Sequence, residues 1–296
     1  MNNYFATIKD IVLSVGTTKE DKIKRLQSDL KCSKYEANHY YQLVMHVEGN
    51  KPKEPTTAFT LGVEIECFGI NKMQVRSMLA DKGITAFETG YDHNDQKKAY
   101  KLGHDGSIAG SQPCEVVSPI LHNLASLKKV CEVINACGAQ VNRSCGMHIH
   151  VGAAKFTVEQ WVRIIKNYAA IEGIIDSFMA QSRRGDNNHY CKSIKDCAER
   201  LQGVSDMGGI MAAFYHDRYH KLNVMSYRNH KTIEFRQHQG TTDFTKIKAW
   251  AEFLVALIKH SMTNTEVITA TTIDELPFLT AKQKAYFNDR KQQLNR

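Results

Sequence analysis

Three stretches of this chain place acids, imidazoles or a guanidinium at every second residue. In 146–152, Met147, Ile149 and Val151 alternate with Gly146, His148, His150 and Gly152, the period of a strand that packs one face and offers the other. Both imidazoles then share the open face. Upstream, Phe59, Leu61, Val63, Ile65 and Cys67 alternate with Thr60, Gly62, Glu64 and Glu66, so two carboxylates stand side by side. Downstream, Ile233 and Phe235 alternate with Thr232, Glu234, Arg236 and His238. Strands far apart in sequence that each bury one face to display such groups predict one sheet with a working surface.

The chemistry of that surface follows from the residue types. A lone E-x-E is usually a solvated strand face, but adjacent like charges repel unless a cation or basic partner lies between them. Two carboxylates with an imidazole form a hard-to-borderline ligand set that suits magnesium or manganese better than zinc. For His148 and His150 the bland alternative is a pair of satisfied polar residues on a wet strand, and H-x-H also serves zinc enzymes. A zinc site of three imidazoles would need a third, for which His238 is the candidate. Glu234 with Arg236 could be a surface ion pair and Arg228 a surface charge. An arginine facing metal-held carboxylates is, however, what phosphoryl transfer needs. Cys145 reads as a small residue at a glycine-rich strand entrance rather than a nucleophile, and His189, His216, His220 and His230 read as solvated. No G-x-x-x-x-G-K-[ST] motif occurs, so a P-loop would not hold a nucleotide.

Several elements must position these groups. Residues 1–50 read as a small helical unit, with capping boxes Thr17/Glu20 and Ser33/Glu36 and apolar positions Ile23, Leu26, Leu30, Tyr40, Leu43 and Val44. A polar, proline-bearing linker at 48–55 precedes the main domain, 57–296. Helices are predicted over 73–82, closed by Gly83, over 124–137, closed by Gly138, and over 157–180, opened by Thr157/Gln160. Two more start at Asp243 and Thr280. His104-Asp105-Gly106-Ser107 reads as a turn between strands, with Asp105 and Ser107 as turn formers, and Glu115-Val116-Val117 as a short strand stopped by Pro119. The polar stretch 183–221 reads as a long excursion over the active face that would hold substrate.

Bulk properties narrow the classes. The 296 residues suffice for one large domain with an appendage. With 42% hydrophobic and 24% charged residues the composition is that of a soluble globular protein, and no apolar run approaches the roughly 18 residues of a membrane span. No secretory signal is evident, which predicts a cytoplasmic protein. The eight cysteines form no C-x-x-C pair and suit reduced core thiols. The net charge of +8 is spread without a dense run; it fits an anionic substrate or nucleotide as well as a nucleic acid.

In chain order the motifs are Gly62-Val63-Glu64-Ile65-Glu66, Asp105-Gly106-Ser107, Glu115-Val116-Val117-Ser118-Pro119, Cys145-Gly146-Met147-His148-Ile149-His150-Val151, and Thr232-Ile233-Glu234-Phe235-Arg236 leading to Gly240-Thr241. Together they resemble the amidoligase family, a branch of the carboxylate-amine ligases with the glutamine synthetase fold, over residues 57–262. The resemblance implies an α+β fold: a glutamine synthetase-like antiparallel sheet with helices packed on one face, here preceded by the helical unit. It implies Glu64, Glu66, Glu115, His148 and Glu234 as metal ligands. It places His150 and Arg236 near the nucleotide phosphates, with Arg228 as a further phosphate grip and Ser107 as a nucleotide-binding candidate.

The implied activity is an ATP- and Mg2+- (or Mn2+-) dependent ligase, ADP-forming, that joins a carboxylate to an amine through an acyl phosphate. The carboxylate could be a small molecule, a peptide or a protein, and the sequence names neither substrate nor oligomeric state. Three alternatives stay open: a guanidino-type phosphotransferase of the same fold, a zinc hydrolase built on His148 and His150, and a noncatalytic basic binding module. RNA is disfavoured as a partner, because Glu64, Glu66, Glu115 and Glu234 would repel phosphates unless metals intervened.

Overall fold

The alternation of apolar and polar side chains decides how the chain layers. In the computed structural model, residues 7–8, 10–12, 14, 17–49, 59–89 and 99–295 are described. They fall into two compact units, 1–55 and 56–296.

In the first unit, α1 (Lys19–Leu30) and α2 (Lys34–Gly49) share a small core in which Ile23, Leu26, Ala37 and Val44 pack with Ile8, Ile11 and Val12. The first capping box is one residue later than predicted: Thr18 and Asp21 exchange the reciprocal bonds, at 3.2 Å each. Thr17 and Thr18 offer the same hydroxyl, as Glu20 and Asp21 offer the same carboxylate, so sequence alone does not choose between them. The second box forms as predicted, with Ser33 N donating to Glu36 Oε2 at 2.8 Å and Glu36 N donating to Ser33 Oγ at 3.2 Å. Leu43, expected in the apolar stripe, is exposed.

The second unit is a mixed α+β structure around an open, mostly antiparallel sheet of seven strands: β1 (Leu61–Cys67), β2 (Ala86–Glu88), β3 (Tyr100–Gly103), β4 (Cys114–Val117), β5 (Gly146–Gly152), β6 (Leu222–Asn223) and β7 (Thr232–Gln239). Their order across the sheet is β2-β3-β4-β1-β5-β7-β6, and β2 with β3 is the parallel pair. The motif strands therefore occupy the middle. Val63, Ile65, Met147, Ile149, Ile233 and Phe235 are buried in one apolar cluster, each contributing roughly 1.5–3 kcal/mol by burial.

Helices α3 (Lys72–Asp81), α4 (Ala125–Ala136), α5 (Val158–Ala170) and α6 (Glu172–Ser177) add to that cluster. Gly83 and Gly138, at φ of 73° and 84°, end α3 and α4 in the left-handed conformation that glycine adopts freely. The helix expected over 157–180 breaks at Ile171, just ahead of the poor helix former Gly173, into α5 and α6. Its Thr157/Gln160 capping box forms as predicted.

Segment 183–221 corrects the expectation of a polar loop. It contains α7 (Lys195–Glu199) and α8 (Met207–Ala213), and Ile194, Leu201, Ile210 and Phe214 are buried in the main cluster. Its apolar residues are spaced too irregularly to show as a stripe, yet they anchor it. His220, expected to be solvated, is buried, with its Nε2 at 3.6 Å from Cys197 Sγ. After α9 (Ser226–His230) and β7, Asp243 caps α10 (Phe244–Thr263), and the Thr280/Gln283 box opens α11 (Ala281–Leu294) as predicted. All eight cysteines are free thiols. Among the described residues, no helix is long and apolar enough to cross a membrane.

One irregularity governs the sheet's chemistry. Met147 faces His238 and Ile149 faces Phe235, so Arg236 and Gln237 together oppose His148. Such a bulge reverses side-chain parity beyond it. Gln237 stays on the helical side with Phe235, where Tyr168 Oη and Asp176 Oδ1 hold it at 2.5 Å each. His238 lies against Trp250 at 6.1 Å between ring centroids and is not on the working face.

Candidate active site

The register brings the predicted groups together. Glu64 lies opposite His148 on β5, Glu66 opposite Glu115 on β4, and His150 opposite Glu234 on β7. Glu64 Oε2 is 2.9 Å from His148 Nδ1, and Glu64 Oε1 is 3.1 Å from His150 Nε2. His150 Nδ1 meets Thr232 Oγ1 at 2.9 Å, which fixes the ring.

Glu66 Oε2 accepts from Gly146 N at 2.5 Å, and its other oxygen is 3.5 Å from His148 Nε2. Glu234 is bound at both oxygens, by Asn223 Nδ2 and by an Arg236 terminal nitrogen, each at 2.5 Å. Arg236 Nε donates to Tyr190 O at 3.4 Å.

Two groups of possible metal ligands result. Oxygen or nitrogen atoms of Glu64, His150 and Glu234 lie within 4.8 Å of one another, as do those of Glu66, Asp105 and Glu115. His148 stands between them, with Nδ1 toward Glu64 and Glu234 and Nε2 toward Glu66. The geometry thus gathers His150 with the carboxylates as closely as His148.

The charges of these groups are strongly coupled. Burial opposes ionisation of Glu64, but the charge of His150 and hydrogen bonds from both histidines outweigh it and hold Glu64 well below the usual carboxylate range. Burial likewise opposes the charge on Glu234, which Arg236 and then His150 reverse, so its pKa is lowered. Burial works against the His150 cation, yet Glu234 and Glu64 raise its pKa. Glu115 goes the other way: burial, then the like charges of Glu64, Glu66, Asp105 and Glu234, push it well above the carboxylate range. That is a cluster with more negative charge than its own cations neutralise. All-oxygen ligation beside one imidazole-bearing group fits magnesium or manganese.

Two predicted residues lie elsewhere. Arg228 is exposed on α9, and its guanidinium engages Met211 Sδ at 3.3 Å and His216 Nδ1 at 3.2 Å instead of the acids. Ser107 is exposed, and its backbone N donates to Asp105 Oδ1 at 2.7 Å, so the turn orients Asp105. Asp105 itself, read from sequence as a turn former, joins the acid group with Glu66 and Glu115. The signal available was an acid in a turn leading to the Glu115 strand. Asn223, which holds Glu234, lies outside every motif, and Thr232, which holds His150, opens the Thr232–Arg236 motif without a role of its own in the sequence reading.

Residues 57–258 match the family model described as "Putative amidoligase enzyme". The chain belongs to this amidoligase family. The matched region contains every residue of both acid groups and Arg236, and it leaves out residues 1–56. Among curated proteins there is no match. The amidoligase name describes a ligase, and the arrangement on β1, β4, β5 and β7 is the part of this chain with groups to support one.

Proposed function

We propose that this amidoligase is an ATP- and magnesium-dependent carboxylate-amine ligase on a glutamine synthetase-like sheet. The observation that carries the reading is the pair of adjacent acid groups, Glu64/His150/Glu234 and Glu66/Asp105/Glu115, with Arg236 at their edge. Glu64, Glu234 and the histidines would hold one cation, and Glu66, Asp105 and Glu115 a second. Mg-ATP, when bound, would supply its terminal phosphoryl group to a substrate carboxylate and leave as ADP; the amine would then attack the acyl carbon and expel inorganic phosphate.

The chain's own residues prepare for that chemistry. The Arg236 side chain is 12% exposed and keyed to Glu234, so its guanidinium is held in place before any ligand arrives. Burial disfavours its charge, but Glu234 and then Glu64 raise its pKa, and it stays cationic. Asn223 and Thr232 fix Glu234 and His150 from the flanking strand and from β7. A zinc site of three imidazoles loses its third member, because the bulge sends His238 to the helical side.

The test is a screen of amino acids, polyamines and peptides for substrate-dependent ADP release from Mg-ATP. ADP formation that needs both a carboxylate and an amine supports the ligase. ADP formation with a guanidino acceptor and no amine would favour the phosphotransferase, and substrate cleavage that ends on zinc removal would favour a hydrolase.

A further inference from the structure

Arg183 ends the short 3-10 turn Gln181–Arg183 and is only 3% exposed. Its NH2 donates to Cys145 O at 2.6 Å, at the entrance of β5. The next residue, Gly146, makes the approach possible. A Cβ there would lie 2.8 Å from His148 Nε2 and 3.1 and 3.3 Å from Arg183 NH2 and NH1, so guanidinium and imidazole share the space above this glycine.

Arg183 and Lys221 are the two buried lysine or arginine residues among those described. Lys221 Nζ donates to Glu172 at 2.9 Å and to Asp176 at 2.8 Å. Arg183 has no such partner: among the described residues no carboxylate lies within 4.0 Å of its nitrogens, and its Nε meets no acceptor at all. Burying a guanidinium without a counter-ion is costly, and an anion offsets the cost. The acid on the other side of Gly146 is Glu66, bound through Gly146 N. In the function proposed above Glu66 holds a cation, so its charge is already engaged when substrate arrives.

We propose that Arg183 binds an oxyanion of the substrates over Gly146, beside His148. This rests on the metal-dependent reading of the site, since cations on Glu66 and its neighbours are what leave the guanidinium for an anion. The ligand chemistry is a carboxylate or phosphate oxygen pair, which an arginine fork matches. Its source is either the acyl donor or the transferred phosphoryl group. Arg236 has Glu234 as its acid neighbour, whereas among the described residues no carboxylate lies within 4.0 Å of Arg183, so Arg183 adds a second guanidinium for an incoming anion.

The experiment follows thermal unfolding of the full chain at saturating Mg2+ while inorganic phosphate, or separately glutarate, is titrated in. Wild type should be stabilised by at least one of them. Arg183→Met should weaken that response about tenfold or more, and without added anion should unfold at or above the wild-type temperature. Loss of the phosphate response assigns the phosphoryl group; loss of the glutarate response assigns the acyl donor. Arg183→Lys, which keeps the charge but not the fork, should retain part of the response, and it carries the test if Arg183→Met does not fold.

A structural clamp on the Cys145 carbonyl would give the reverse pattern. Both variants would then unfold at lower temperature without anion and keep the full wild-type response, which would overturn the proposal, as would a wild type that responds to neither anion. An Arg183-dependent response in a chain that never releases ADP would instead sink the ligase reading and leave the anion site standing.

Discussion

Glu64 and His148 face each other across the β1/β5 ladder, and the Glu64 carboxylate is held at one oxygen by His148 and at the other by His150. The face they share is polar, while the packing of these strands is done by Val63, Ile65, Met147 and Ile149. Replacing either residue should therefore disable the site and spare the fold. Losing a partner one step removed from a metal costs about 10–100-fold, and a direct ligand should cost more. Glu64→Gln and His148→Ala should each lower ADP formation by more than that range at saturating Mg2+, with unchanged circular dichroism. Near wild-type rates in both would remove the metal-site reading.

Glu115 links metal binding to pH. Its pKa is raised in the metal-free chain by burial and by four acidic neighbours, and a ligand must be a carboxylate, so cation binding should expel its proton. The sign is that affinity for Mn2+ rises with pH, by about tenfold per unit while one proton is displaced, and levels off once the metal-free Glu115 is ionised. Titration calorimetry in buffers of different ionisation enthalpy reads the proton count directly. Glu115→Gln should bind Mn2+ more weakly with no such release; an unchanged proton count in that variant would assign the titration elsewhere.

Behind the bulge, Lys221 is fully buried between Glu172 and Asp176, and Asp176 also holds Gln237, the neighbour of Arg236. The Lys221 backbone carbonyl accepts from Arg236 N at 2.8 Å, so the same residue fixes the bulged strand twice. Lys221→Met would strand two acids in the interior and should cost roughly 3–5 kcal/mol. Urea unfolding measures it. Adding Glu172→Gln and Asp176→Asn to Lys221→Met should recover part of the loss, because the stranded charges are then gone; no recovery would show that packing, not charge, dominates there.

His238 should make stability pH-dependent. Burial lowers its pKa from 6.5 to about 4, so between these values the unfolded chain takes up a proton that the folded chain refuses. Stability contributed by neutral His238 is present above pH 6.5 and is lost as pH falls toward 4, by on the order of 3 kcal/mol. His238→Gln has no such proton and should show a shallower decline over that range. Parallel slopes for the two proteins would mean that His238 is not shielded as its place against Trp250 implies.

Much of the working face was legible because period-two alternation fixes which residues share a side, and Glu64, Glu66, His148, His150, Glu234 and Arg236 all lie where that period places them. The sequence period puts His238 on the working face, but one inserted residue reverses that period, and neither Arg236 nor Gln237 looks unlike a strand residue. In sequence Asp105 reads first as a turn former within the Asp105-Gly106-Ser107 motif, since a turn's spatial neighbours come from β1 and β4 rather than from its own sequence. Arg228 fell outside because α9 presents it to solvent beside His216. Arg183 gave no signal at all: its meaning lies in the contact with Gly146, 37 positions earlier in the numbering.

The central claim is that this face activates a carboxylate by phosphorylation, and one isotope experiment tests it most directly. A carboxylate substrate labelled with heavy oxygen, supplied with Mg-ATP and its amine, should transfer one labelled oxygen to inorganic phosphate for each amide formed, with ADP as the nucleotide product. Phosphate that stays unlabelled while amide accumulates, or AMP with pyrophosphate in place of ADP, would contradict the account.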